Sequence, residues 1–276
     1  MPLEINYCNL RGHESMLRDS VRCEAFRQAI VDTVTPGCAV LDIGAGTGIL
    51  SLFAAQAGAR VVYAVERTHI AEFAKRIVSE NGFGDRINVL QNDMETLELP
   101  EKVDVIVSEW LGGYGVDENL LPIVVRARDR WLKPGGKLLP ASVAVMFAPI
   151  DDKELYNEHG PGFWNKRNIH GIDFSFFTQK ELQMGHANQL HVPDKFLLAP
   201  GKSIHHLKTD GAHPGDEWCS GTVEYEIQRD GDGSWFRVVL RACRWRSIMV
   251  RADREGLSGR LGHLISHPEC WVWASE

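Results

Sequence analysis

Apolar positions at Met16, Leu17, Val21, Phe26, Ile30 and Val34 recur at helical spacing, which predicts a helix over residues 14–34. Thr35-Pro36-Gly37 breaks it. A compact run, Ala39-Val40-Leu41-Asp42, then reads as a strand, followed by glycines at alternate positions, Gly44, Gly46 and Gly48. Ile49 to Ala55 reads as helix, and the β-branched run Val61 to Val65 as a second strand ending in Glu66. His69 to Glu80 carries Ile70, Phe73, Ala74, Ile77 and Val78 on one face, with Asn81-Gly82 as its stop. Ile87 to Leu90 and Val103 to Val107 are further strands, the latter the apolar run of a parallel strand buried on both faces. A helix from about Glu118 to Leu132, a turn at Lys133 to Gly136 and a fifth strand from Lys137 follow. Alternating strands and helices predict a doubly wound, Rossmann-like parallel α/β sheet up to about residue 140.

The pattern then changes. Residues 151–180 scatter Tyr156, Phe163, Trp164, Phe174, Phe176 and Phe177 among polar positions. Beyond about 194 the signals are strands, at Lys195 to Leu198, Thr222 to Gln228 and Trp235 to Arg244. The last two are joined by the hairpin turn Asp230-Gly231-Asp232-Gly233-Ser234. The second half is therefore expected to be β-rich.

Composition narrows the function classes. A net charge of −7 without a compensating basic patch argues against nucleic acid and favours a basic peptide or a cationic small molecule. No apolar run approaches the roughly 20 residues of a membrane span, and the N-terminus lacks the apolar stretch of a secretory signal. The six cysteines are scattered without a C-x-x-C, as expected of reduced thiols in a cytoplasmic protein.

Two stretches carry chemistry. The Gly44-x-Gly46-x-Gly48 turn lets backbone approach a ligand, and Glu66 stands where an acid accepts hydrogen bonds from ribose hydroxyls. The third glycine comes one residue earlier than in the G-x-G-x-x-G of dinucleotide enzymes, and no P-loop lysine is present, so an adenosine ligand of another kind is expected. Asn92 to Glu95 offers further polar contacts. The second stretch, Ser108 to Glu118, places Glu109 and Glu118 about a glycine-rich loop at the carboxyl end of the fourth strand. Carboxylates held close repel unless a cation lies between them, and a planar, always-charged guanidinium suits that gap. Taken alone, Glu118 could equally sit at a helix N-terminus, where the dipole favours an acid.

Several of these pieces, in order, resemble the catalytic core of the protein arginine methyltransferase family. They are His13-Glu14-Ser15-Met16-Leu17-Arg18-Asp19 with Arg22, the block from Leu41 to Ala59, Val65-Glu66, Asp93-Met94-Glu95 before Leu99-Pro100, Ser108-Glu109-Trp110 with Glu118, and Ala127 to Gly136. The resemblance implies S-adenosylmethionine as cofactor and S-adenosylhomocysteine as product. It implies that Gly44, Gly46 and Gly48 bed the cofactor, with Met16, Asp42 and Arg67 beside it, that Arg22 pairs with its carboxylate, that Glu66 holds the ribose, and that Met94 and Glu95 contact adenine. Glu109 and Glu118 would clamp the substrate guanidinium, and Asp19 would pair with a barrel-loop histidine, best matched by His267.

It also implies three parts: a cofactor-covering helical segment over 1–36, a Rossmann-like domain over 37–147, and a barrel-like substrate domain over 148–276. The last would include a dimerisation arm near 160–192, starting at Phe163-Trp164, and hence a homodimer. The sequence departs from the family pattern at Leu3-Glu4, where an aromatic is usual, although Tyr7 matches its partner. It departs again at Leu111, Gly113 and Asp117, and at Cys270, which precedes Trp271 where the family has histidine. The chain ends five residues beyond Trp271, so a fragment or a reduced barrel is expected. Three functions use such residues: arginine methylation in protein or peptide, methylation of a guanidine-bearing small molecule, or a non-catalytic partner subunit.

Overall fold

The computed structural model describes residues 7–111, 118, 120–165, 169–181, 192–216, 220–228, 235–243, 247–253 and 270–273. Its first half is a five-stranded parallel sheet built from β1 (Ala39–Ile43), β2 (Val61–Glu66), β3 (Ile87–Gln91), β4 (Val103–Val107) and β5 (Leu132–Leu139), in the order β3-β2-β1-β4-β5. The chain winds outward from β1 through β2 to β3, then returns to β4 on the other side of β1. That reversal leaves a crevice beyond the carboxyl ends of β1 and β4, the place where such sheets bind ligands.

Alternation along the strands feeds two cores. Leu41, Ile43, Tyr63, Val65 and Ile106 pack with Leu121, Val124 and Trp131 of α5 (Leu121–Trp131). Val40, Val62, Ala64, Val105 and Val107 face the other way. They meet Phe26 and Ile30 of α2 (Ser20–Thr33), Leu50 and Ala54 of α3 (Ile49–Gln56), and Val78 of α4 (Ile70–Glu80). All five residues of β1 are buried, as a strand covered on both faces requires. Leu41 is fully enclosed in this central strand. Truncation to alanine is expected to cost about 3 kcal/mol, read in urea titrations as a lower midpoint at unchanged slope.

The helix expected over 14–34 is two. α1 (Leu10–Arg18) ends at Asp19, whose side chain accepts from Arg22 N and so starts α2 as its N-cap. The turn expected at Lys133 to Gly136 lies inside β5, where the pairing with β4 shifts between Val103 and Val105 as a bulge.

The second half is β-rich as expected. β6 (Ser142–Pro149) pairs antiparallel with β7 (Lys202–Lys208) and β11 (Cys270–Trp273). The strands β8 (Ser220–Gln228), β9 (Trp235–Cys243) and β10 (Ser247–Asp253) form an antiparallel meander. Because β6 pairs within this region, residue 147 falls inside one of its strands. The strand expected at Lys195 to Leu198 is instead a 3-10 turn over Asp194–Phe196 with one bridge, Leu197 to Ile150, since Pro193 and Pro200 bracket a run too short to pair. The strand β7 was not expected, because its sequence KSIHHLK is mostly exposed and carries little apolar pattern. Among the described residues no helix is long and apolar enough to cross a membrane.

Candidate functional site

The crevice at the carboxyl ends of β1 and β4 gathers most of the expected residues. Gly44, Gly46 and Gly48 all have left-handed backbone, with φ of +72°, +52° and +86°. A side chain is disfavoured there, and Gly48 serves as the N-cap of α3. The turn is pinned to β2: the Gly44 and Ala45 amides donate to the Val65 carbonyl at 2.9 and 3.0 Å. Gly46 N donates to Glu66 Oε2 at 3.0 Å, and Thr68 N to Oε1 at 2.8 Å. Two backbone amides therefore hold the buried Glu66 carboxylate at the rim of the turn, oriented before any ligand arrives.

Asp42 lies beneath the turn, fully buried. Ser51 Oγ donates to its Oδ2 at 2.6 Å, while Oδ1 has no hydrogen-bond partner. Burial pushes its carboxyl up from 3.8 to about 7, opposed by the bonds from Ser51 and assisted by the nearby Glu66. A buried acid with an unused acceptor fits a site that receives a cationic ligand. The raised value has a consequence for stability. Asp42 favours the folded state fully below about pH 4, its ordinary range, and that contribution is lost as pH rises through about 7. Asp42→Asn, which cannot ionise, should therefore gain melting temperature relative to the parent on going from pH 5 to pH 8, as thermal denaturation of the ligand-free protein will show.

The N-terminal segment crosses this crevice and reaches both ends of the glutamate loop. Arg22 Nη1 donates to Glu109 Oε2 at 2.9 Å, an ion pair with side chains 16% and 22% exposed, and Nη2 donates to the Met16 carbonyl at 2.7 Å. Leu111 N donates to the other oxygen of Glu109 at 3.1 Å. At the far end of the loop Tyr7 donates its hydroxyl to Glu118 Oε1 at 2.5 Å. Burial, and then the bond to Glu118, push the Tyr7 phenol well above its ordinary range, so it stays a donor. The loop between, residues 112–117, lies outside the described residues, as do Leu3-Glu4 and His267. Glu118 precedes α5 rather than starting it.

The remaining expected residues are placed as follows. Asp19 is the exposed cap of α2 beside Arg22, and Arg67 is exposed just past β2. Met94 is half-buried against the core below the loop after β3, and Glu95 is exposed and ion-paired with Arg126 at 3.2 Å. Three residues here had no assigned role from the sequence. His13 is 5% exposed, donates from Nε2 to the Tyr7 carbonyl at 2.9 Å, and puts its ring 3.0 Å from where a Cβ on Gly46 would lie. Ser51 holds Asp42, and Ser108 donates through Oγ to the Ile43 carbonyl at 2.8 Å. All three lie within the stretches that resemble the family, but nothing in their spacing marked the contacts they make.

Comparison with known proteins gives the chain its relatives. The family model described as Methyltransferase domain matches residues 40–136. Protein arginine N-methyltransferase 6 of Danio rerio is 47% identical over 265 residues, 91% of this chain and 72% of the relative. Probable protein arginine N-methyltransferase 6 of Arabidopsis thaliana is 46% identical over 176 residues, 63% of this chain and 40% of its own. The matches span about half the length of several curated relatives. Among solved structures, the Trypanosoma brucei PRMT1 enzyme-prozyme heterotetrameric complex with AdoHcy is similar with a TM-score of 0.71. The two are 28% identical, over 89% of this chain and 78% of that one.

Proposed function

We propose, because the chain belongs to the protein arginine N-methyltransferase family, that it methylates an arginine guanidinium in a protein or peptide, using S-adenosylmethionine and releasing S-adenosylhomocysteine. The observation that carries this reading is the pairing of Glu109 and Glu118 with one N-terminal segment directly beside the glycine turn. The residues of the crevice suit the cofactor. Gly44, Gly46 and Gly48 would give it bare backbone, Glu66 a fixed carboxylate for ribose hydroxyls, and Asp42, beneath the turn, a buried unused acceptor suited to a cationic ligand. We assign Arg22 to its carboxylate, Met94 and Glu95 to adenine, and Met16, Arg67 and His13 to its flanks.

When bound, S-adenosylmethionine supplies an electrophilic methyl group on a sulfonium. The chain's own task is then placement. Glu109 and Glu118 draw the guanidinium charge toward the nitrogens they touch, leaving the third nitrogen's electron pair available for attack, and that nitrogen gives up one proton once methylated, so the product remains a guanidinium. Glu109 already accepts a guanidinium of this chain, that of Arg22, so its carboxylate is oriented for such a partner. Arg22 thereby links the cofactor side of the crevice to the substrate side. Tyr7 fixes Glu118 by donating to one oxygen. We assign Asp19, with His267, to orienting the clamp.

The sheets beyond residue 148 are assigned to a barrel-like substrate domain, with residues 1–36 as the cofactor cover and 37–147 as the Rossmann-like domain. Trp164 gathers Phe163, Phe174 and Phe177 at ring separations of 5.1 to 6.5 Å, while Phe176 remains 71% exposed. That apolar group supports a dimerisation arm near 160–192 and a homodimer. Reduced thiols at Cys23 and Cys38 suit a cytoplasmic location.

The test is transfer of a labelled methyl group onto arginine-rich peptides, run beside free arginine and other guanidines. Label on arginine within peptides is the expected result. Cofactor binding by calorimetry with no transfer to any peptide would overturn it.

A further inference from the structure

β1 and β4 are hydrogen-bonded neighbours whose last paired residues are Asp42 and Val107. Beyond that rung the two chains part. β1 turns away into the glycine cradle, and β4 runs on to Glu109. The separation of these diverging ends decides how far a methyl donor lies from the carboxylate that holds its acceptor. On the β2 side, backbone amides of the turn anchor the cradle to Val65 and Glu66. On the β4 side a side chain makes a tie beyond the ladder: Ser108 Oγ donates to the Ile43 carbonyl at 2.8 Å. Ser108 is 3% exposed, and its amide donates to the Leu139 carbonyl of β5 at 3.0 Å. The residue before Glu109 is thus bound to the residue before Gly44, one position short of each working group.

We propose that Ser108 is a positioning residue for methyl transfer, setting the distance between the glycine cradle and Glu109 through its bond to Ile43. This rests on the functional reading above. The bond is buried, so water cannot replace it without opening the strands, and Ile43 loses an acceptor contact if the hydroxyl goes. In-line transfer is sensitive to displacement on the scale of 1 Å, so a relaxed tie acts on the rate even when both ligands still bind.

The experiment compares the parent chain with Ser108→Ala and Ser108→Thr, measuring kcat, KM for an arginine-rich peptide and Kd for S-adenosylmethionine. Ser108→Ala is expected to lower kcat roughly 10- to 100-fold with cofactor Kd nearly unchanged, and Ser108→Thr, which keeps the hydroxyl, to retain most of the activity. A double-mutant cycle with Glu109→Asp separates positioning from general weakening. If both changes act by displacing the same carboxylate, their combined loss falls well short of the product of the single losses. Multiplicative losses, or a Ser108→Ala variant as fast as the parent, overturn the proposal. If the alanine variant does not fold, Ser108→Cys, of similar size and a weak donor, enters the same cycle under the same criteria. A parent chain that binds cofactor but transfers nothing overturns the functional reading and this inference together, whereas an active parent with an equally active variant overturns this inference alone.

Discussion

Glu109→Gln is expected to lower the rate of methyl transfer roughly 100- to 1,000-fold while leaving cofactor affinity nearly unchanged. Glutamine keeps the shape, and its carbonyl oxygen still accepts from Arg22 at the position of Oε2. What disappears is the negative charge that draws the guanidinium charge off the attacking nitrogen, together with the bond that Leu111 N makes to the other oxygen. Glu109 lies on the β4 side of the crevice, and the glycine turn and Glu66 lie on the β1 and β2 side, so cofactor contacts should survive. Single-turnover transfer with a peptide, together with calorimetric titration of S-adenosylmethionine, reads both quantities. A comparable loss of cofactor affinity would show that Glu109 serves the cofactor through Arg22 rather than the substrate.

Gly46→Val should abolish useful cofactor binding. The residue has φ +52°, where a β-branched side chain is strained by about 1–2 kcal/mol. Its Cβ would also lie 3.0 Å from His13 Cε1 and 3.3 Å from Nδ1. The imidazole cannot retreat easily, because it is buried and bound to the Tyr7 carbonyl. Strain and displacement together suggest a fall in affinity on the order of 100-fold. Pairing the change with His13→Ala tests the account: relief of the clash should recover part of the affinity, and the backbone strain should keep the rest. An unaltered Kd in the single variant would mean that the turn does not bed the cofactor.

The parallel core was legible because a buried parallel strand is apolar over nearly its whole length, so Val61 to Val65, and Val103 to Val107 apart from Asp104, announced themselves. The glycine turn was legible for a related reason. Backbone that must take positive φ selects glycine, and three at alternate positions leave a mark that no packing argument is needed to see. Glu66, Glu109 and Glu118 could be named because they border that turn or a loop at the same sheet edge. The second half was less legible. β7 is largely exposed, so its sequence carries no core pattern, while Lys195 to Leu198 has the pattern without the pairing room between two prolines.

The sequence by itself determined the alternating strands and helices of the parallel sheet, the glycine cradle and the acids that border it, since each follows from local backbone demands or from alternation along one element. Only the tertiary structure decided who holds those acids. Arg22 meets Glu109 across 87 positions, Tyr7 meets Glu118 across 111, and Ser108 meets Ile43 across 65. Such contacts depend on how α1 folds back across the crevice and on where two adjacent strands part. No spacing along the chain encodes a distance between residues that only the sheet brings together.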